Sequence, residues 1–125
     1  EVVICYKHRE SANNISKMLV IGDVTGKDVV LVDDMVDTAG TLTKAAGLMI
    51  NEGANSVRAI CTHAVLSGEA LKRIEESKLE EVVVTNTIPK KYQGSKIKEI
   101  SVADLFAKTI KSVMDKSSIS TNFIC

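Results

Sequence analysis

The chain has 125 residues, 45% of them apolar and only 3% aromatic, and its sixteen basic side chains are matched by sixteen acidic ones. That is enough apolar material for one domain with a real core, while the balanced charge excludes a basic field that would steer it to nucleic acid or an anionic membrane surface. Its longest apolar runs are too short to span a bilayer. Three widely spaced cysteines, Cys5, Cys61 and Cys125, lack metal-ligand spacing and suit a reducing, cytoplasmic setting better than a disulfide scaffold. Cys5 and Cys61 fall within apolar runs and read as core residues.

Glu1 leads at once into the apolar run Val2 to Cys5 without an initiator Met, the expected signature of a fragment cut from a longer chain. Val2 to Tyr6 predicts a strand, the polar stretch from Lys7 to Asn14 a turn, and Met18 to Ile21 a second strand, together a hairpin flanking an exposed loop. Lys7 and Arg9 are two apart, so a strand that runs on would put them on one face, able to converge on one anion. On composition alone a solvated charged loop is the simpler reading.

The stretch Asp28 to Thr41, DVVLVDDMVDTAGT, is where chemistry concentrates. Val29, Leu31 and their neighbours Val30 and Val32 are apolar without alternation, which predicts a strand covered on both faces in a parallel sheet. Asp33 and Asp34 follow at its carboxyl end, where open α/β sheets bind ligands, and adjacent strand side chains point to opposite faces, so the two acids can hold different parts of one ligand. Asp37, Thr38, Ala39, Gly40 and Thr41 then supply hydroxyls, small residues that let a ligand approach the backbone, and the orphan N–H groups of a helix start, which favour an anion such as phosphate. Carboxylates beside a phosphate cradle suit a sugar phosphate. The plainer alternative is an acidic cap on an ordinary strand-to-helix turn, against which Asp33, Asp34, Asp37, Thr38, Gly40 and Thr41 within nine positions weigh heavily.

From Thr41 to Glu52, Leu42, Ala45, Ala46, Met49 and Ile50 carry helical spacing, and Gly53 can end the helix. Val57 to Cys61 predicts a strand, followed by His63, which suits an acid–base role or, more simply, a hydrogen-bonded structural one. A short helix over Gly68 to Glu76 points Leu71 and Ile74 inward. Val82 to Thr85 is a further strand that Pro89 keeps from extending, and Lys90 to Lys98 a charged connector. Ile97 to Ile100 alternates like an edge strand, Ser101 with Asp104 resembles a capping box, and Val102, Leu105, Phe106, Ile110 and Val113 stripe a closing helix. Residues 116–125 read as a polar tail. Strands and helices in alternation predict an α/β fold, a mainly parallel sheet flanked by helices.

Asp33-Asp34-x-x-Asp37-Thr38-x-Gly40-Thr41 resembles the phosphoribosyl pyrophosphate loop of the type I phosphoribosyltransferase fold. More narrowly, the chain resembles the carboxyl-terminal part of class I ribose-phosphate pyrophosphokinases: Lys7-His8-Arg9 matches the Lys-x-Arg of their mobile catalytic loop, THAVLSG resembles their corresponding strand-to-helix loop, and the serines and Phe of the tail match at similar spacing. The resemblance implies a single phosphoribosyltransferase-like domain over 1–125 and ATP-dependent pyrophosphoryl transfer to ribose 5-phosphate, giving phosphoribosyl pyrophosphate and AMP. By it, Asp37 to Thr41 would grip the 5-phosphate, Asp33 and Asp34 the ribose hydroxyls, and Lys7 and Arg9 would stabilise charge on the transferring group, Arg9 also touching substrate. Ser118, Ser120 and Phe123 would belong to an allosteric nucleotide and phosphate site between subunits. Magnesium is implied with its ligands outside this chain, as are a missing N-terminal half, a homo-oligomer of hexameric type, and a fragment inactive alone. Ala39 stands where many relatives have Gly, a departure that matters if its φ is positive, and His8 fills a variable position. A nucleobase phosphoribosyltransferase and a non-catalytic regulatory homologue are the alternatives; Lys7-x-Arg9, THAVLSG and the tail favour the kinase over the first, and the intact phosphoribosyl loop disfavours the second.

Overall fold

The structure is a computed structural model that describes residues 2–11, 14–89 and 94–122. Two strands, β1 (Ile4–Ser11) and β2 (Asn14–Ile21), form an antiparallel hairpin with Ile4 opposite Ile21 and Lys7 opposite Met18, irregular beyond His8. The hairpin was expected, but its strands extend further into the polar stretch than hydropathy alone marks, because backbone pairing continues where apolar side chains have stopped. β3 (Asp28–Val36), α1 (Gly40–Asn51), β4 (Ser56–Ala64), α2 (Ala70–Glu76), β5 (Glu81–Thr85), β6 (Ile97–Ile100) and α3 (Ala103–Met114) follow, with a short 3₁₀ turn at Ser120–Asn122. The last four strands make one all-parallel sheet in the order β3-β4-β5-β6. The α/β class and the mainly parallel sheet are as the sequence predicts.

The core lies on one face of that sheet. Val57, Ala59 and Cys61 of β4 and Val82 and Val84 of β5 are buried beneath Leu42, Ala46 and Met49 of α1 and Ala70 and Ile74 of α2. The helical stripe predicted for α1 is buried as expected, with Ile50 at its margin. Gly53 ends the helix in the left-handed region at φ 93°, and the Gly53 and Ala54 N–H groups close back on Ile50 and Met49. Val3, Cys5 and Val20 bring the hairpin against the same core.

One expectation fails. The run Val29 to Val32 predicts a strand covered on both faces, yet β3 is an edge strand of the described sheet, and its outward residues Val30 and Val32 are 51% and 78% exposed. Strand order runs in one direction across the sheet, and successive right-handed crossovers in one direction put α1 and α2 on the same side. The other face, including Ile60 and Ile100, is left bare by the described residues. The stripe predicted for the closing helix falls in α3, where Leu105, Phe106, Ile110 and Val113 are all exposed and no residue of the helix is buried.

The capping box forms only in half. Ser101 Oγ accepts the Ala103 N–H at 3.2 Å, but the boundary residue is Val102, whose N–H goes to Asn86 Oδ1 at 2.9 Å. The entry into β6 is tied instead by Glu75, whose carboxylate accepts the Lys96 N–H at 3.2 Å and the Ser95 hydroxyl at 3.1 Å. Those bonds, the Lys96 backbone N–H first, hold the Glu75 carboxyl below the ordinary glutamate range. A depressed folded-state pKa stabilises above the unfolded value and ceases to do so as pH falls through the folded one. The protection factor of the Lys96 amide, taken relative to the intrinsic exchange rate at each pH, is therefore expected to fall below the usual glutamate range and to stay constant between pH 6 and 8; pH-independent protection throughout would contradict this anchoring.

Candidate functional site

β3 does not stop at its acidic pair but stays paired with β4 through Val36 opposite Ala64, so Asp33 and Asp34 lie just inside the strand end rather than at it. Asp33 is half-buried and opposite Cys61 on the covered face, whereas Asp34 is exposed. Asp33 Oδ1 accepts the Asp34 N–H at 3.1 Å. This is the division between two faces that alternation predicts.

After Val36 the chain turns through Asp37, Thr38 and Ala39 into α1. Ala39 sits at φ 59°, ψ 2°, a left-handed conformation uncommon for a residue with a side chain, and is only 4% exposed. The condition under which Ala in place of Gly matters is thus met. No side chain caps α1 and its first turn carries no acid. Thr43 returns both its N–H, at 3.0 Å, and its hydroxyl, at 2.9 Å, to the Ala39 carbonyl, so the ladder begins there. The N–H groups of Gly40, Thr41 and Leu42 precede it, as the first amides of any helix do. These amide dipoles together with the Thr38 and Thr41 hydroxyls, in the turn that follows the paired carboxylates, can hold an anion on one side and sugar hydroxyls on the other.

The loop is held by residues to which sequence reading gave no role. The segment after β4 pairs with it: Leu66 N–H to the Val36 carbonyl and Ser67 N–H to the Asp37 carbonyl, both at 3.0 Å. The Ser67 hydroxyl donates to the Asp37 carboxylate. From α2, Arg73 Nη1 reaches the Thr38 carbonyl at 2.9 Å. The similarity of THAVLSG to a family loop was the available signal, but nothing in spacing says that Ser67 and Arg73 turn back on residues some thirty positions earlier.

A cavity of about 640 Å³ opens between the hairpin and the β3–α1 unit, with Asp33 and Thr41 at its polar end and Val3, Cys5, Leu31 and Met49 along its walls. The start of β1 therefore lies beside the cradle. Lys7 and Arg9 fall within β1, but their side chains lie outside what the structure describes, as does Phe123. The hydroxyls of Ser118 and Ser120 are 2.7 Å apart, and Ser118 Oγ also accepts the Ser120 N–H. His63 has its Nδ1 2.9 Å from Thr87 Oγ1, in line with a structural role, although at an exposed position.

Cys61 is buried behind the acidic pair, its thiol directed to the His63 and Asp34 carbonyls at 3.3 and 3.7 Å. Burial pushes the thiol pKa up, and Asp33 and Asp34 add to the rise. Because the folded form prefers the protonated thiol, stability from this group is present below the ordinary thiol pKa and is lost as pH rises through the elevated one. Cys61 is expected to resist iodoacetamide at pH 8 and to react once the chain is unfolded in urea; ready alkylation of the folded protein would contradict a buried, neutral thiol.

Among the described residues no group of three or more His, Cys, Asp or Glu is arranged to hold a metal ion, and no helix is long and apolar enough to cross a membrane. The fold and this loop define an α/β domain of the kind that presents an anion cradle at the carboxyl ends of parallel strands. The family model for the phosphoribosyl synthetase-associated domain matches residues 8–124, and the chain belongs to that family. It is 54% identical over 120 residues to the ribose-phosphate pyrophosphokinase of Porphyromonas gingivalis and 54% identical over 123 residues to that of Helicobacter hepaticus. These alignments take in 96% and 98% of this chain, which spans 38% and 40% of those relatives' lengths. Among solved structures, the phosphoribosylpyrophosphate synthetase of Mycobacterium smegmatis superposes with a TM-score of 0.80 at 36% identity, over 90% of this chain and 37% of that one.

Proposed function

We propose that residues 1–125 are the ribose 5-phosphate-binding part of a ribose-phosphate pyrophosphokinase, the carboxyl-terminal portion of a longer cytoplasmic chain. The observation that carries this reading is the uncapped start of α1, reached through a left-handed Ala39 in the turn that follows the strand bearing Asp33 and Asp34. The Gly40 to Leu42 amides with the Thr38 and Thr41 hydroxyls take the 5-phosphate, Asp33 and Asp34 orient the ribose hydroxyls, and Asp37 shapes the loop from its contact with Ser67. Holding the sugar in one pose lowers the entropic part of the barrier. Lys7 and Arg9, close in sequence to the cavity-lining start of β1, offset charge on the phosphoryl group passing from ATP to the anomeric hydroxyl. By the family resemblance, the magnesium ion and most of the ATP contacts are assigned to the rest of the parent chain. The tail from Ser118 through Ser120 to Phe123 is assigned to an allosteric contact between subunits.

The bare sheet face and the exposed α3 stripe fit the same reading, because some three-fifths of each relative's length lies outside this chain. The remainder of the parent chain and further copies in a homo-oligomer are the proposed covers. Phe106 is 55% exposed here, so Phe106→Ser is expected to change the stability of the 125-residue chain by less than about 0.5 kcal/mol. In the full-length parent the same change is expected to cost about 2 kcal/mol or more. Equal small effects in urea melts of both would remove the case for a cover over α3.

The activity test is AMP formation from ATP and ribose 5-phosphate, with magnesium, by the full-length parent. Turnover by the parent and none by residues 1–125 alone is the expected result. Pyrophosphate release from phosphoribosyl pyrophosphate and a base, without use of ATP, would assign the parent to the nucleobase transferases instead.

A further inference from the structure

We propose that Arg73, acting with Ser67, is a positioning residue for the phosphate cradle, an inference that rests on the ribose 5-phosphate reading above. The cradle is not self-supporting. α1 has no side-chain cap, and the residue that turns the chain into it, Ala39, holds a conformation that its own Cβ disfavours. Such a conformation persists where surrounding contacts over-determine it. Here those contacts come from one direction, the segment running from the end of β4 into α2.

Three of the bonds lie at successive residues of the loop. The carbonyls of Val36, Asp37 and Thr38 accept in turn from Leu66 N–H, Ser67 N–H and Arg73 Nη1. The first two are backbone bonds that most side chains at 66 and 67 would retain, whereas the third depends on the guanidinium. It acts on the residue immediately before the strained Ala39 and fixes the plane of the peptide joining Thr38 to Ala39. A Cβ placed on Gly40 would lie 3.8 Å from Arg73 Nη1, so the same cation lies on the side of the first helical residue where a side chain would project. Arg73 therefore aims the amides and adds positive charge beside them, the two properties an anion site needs. The Ser67 hydroxyl secures the other flank by donating to the Asp37 carboxylate.

Arg73 is itself exposed, which separates its local effect from global stability. In the full-length parent, Arg73→Met is expected to weaken ribose 5-phosphate binding about tenfold by calorimetry and to raise its KM with little change in kcat. Arg73→Lys, which keeps a donor and a charge, recovers most of the affinity. Exchange of the Thr43, Leu66 and Ser67 amides, which bond to the loop carbonyls, accelerates in Arg73→Met while β4 and β5 stay protected, and Ser67→Ala produces the same pattern more weakly. Unchanged affinity and exchange in Arg73→Met would overturn the proposal. So would a loss of affinity accompanied by faster exchange throughout the sheet, which marks a merely structural residue. Failure of the native parent to bind ribose 5-phosphate would sink the functional reading alone, since the exchange measurement tests the clamp without ligand.

Discussion

Ala39→Val is expected to destabilise the protein by about 2 kcal/mol or more. Position 39 combines φ 59° with 4% exposure. Native Ala39 already carries the cost of about 1–2 kcal/mol that any L-residue with a Cβ meets in the left-handed region, and a β-branched side chain adds to it because its γ-carbons crowd the backbone. Adding two methyl groups to a buried site brings a further overpacking cost of about 1–3 kcal/mol. Ala39→Gly works in the opposite sense: it relieves the left-handed strain but frees the unfolded chain by about 0.4–1 kcal/mol. Its net effect is expected within about 1 kcal/mol of zero. Urea midpoints of the two variants test this directly, and a Val variant as stable as native would mean that the loop does not hold the left-handed turn in solution.

The pair of outcomes also explains what the sequence made legible. Period and punctuation located the helices and strands, since Leu42, Ala45, Ala46 and Met49 or the Gly53 stop are local signals. The acidic pair and the small-residue turn made the proposed cradle legible for the same reason: its parts are contiguous. What failed to show was everything settled by distant chain. Arg73 and Ser67 reach residues 35 and 30 positions earlier, and a lone Arg on a short helix carries no trace of its target. Val30 and Val32 show the opposite failure: their unbroken apolar run predicts cover on both faces, but one-directional right-handed crossovers put α1 and α2 on one side, and the described residues leave the other bare. The spacing of the α3 stripe marks a helix and does not say which segment it meets.

Gly40→Asp is expected to separate the stability of the loop from its binding, in opposite directions. The position is sterically permissive: a Cβ there would meet only Arg73 Nη1 and Thr38 Oγ1, each at 3.8 Å, which is ordinary contact. A carboxylate in the first turn of α1 faces the amides that no side chain caps and the Arg73 guanidinium, so it should stabilise the helix by about 0.3–1 kcal/mol. Replacing glycine within a helix adds to this in the same direction. The same carboxylate occupies the place and the charge complement assigned to the 5-phosphate, so ribose 5-phosphate binding is expected to weaken by at least about a hundredfold, some 2.7 kcal/mol. Gly40→Ala supplies the control, filling similar space without charge, and should retain affinity within about tenfold if the amides rather than the absent Cβ determine binding. Calorimetry with ribose 5-phosphate and urea denaturation on the full-length parent give both readouts. A more stable Gly40→Asp protein that still binds ribose 5-phosphate as the native one does would place the phosphate elsewhere and leave the start of α1 as an ordinary turn.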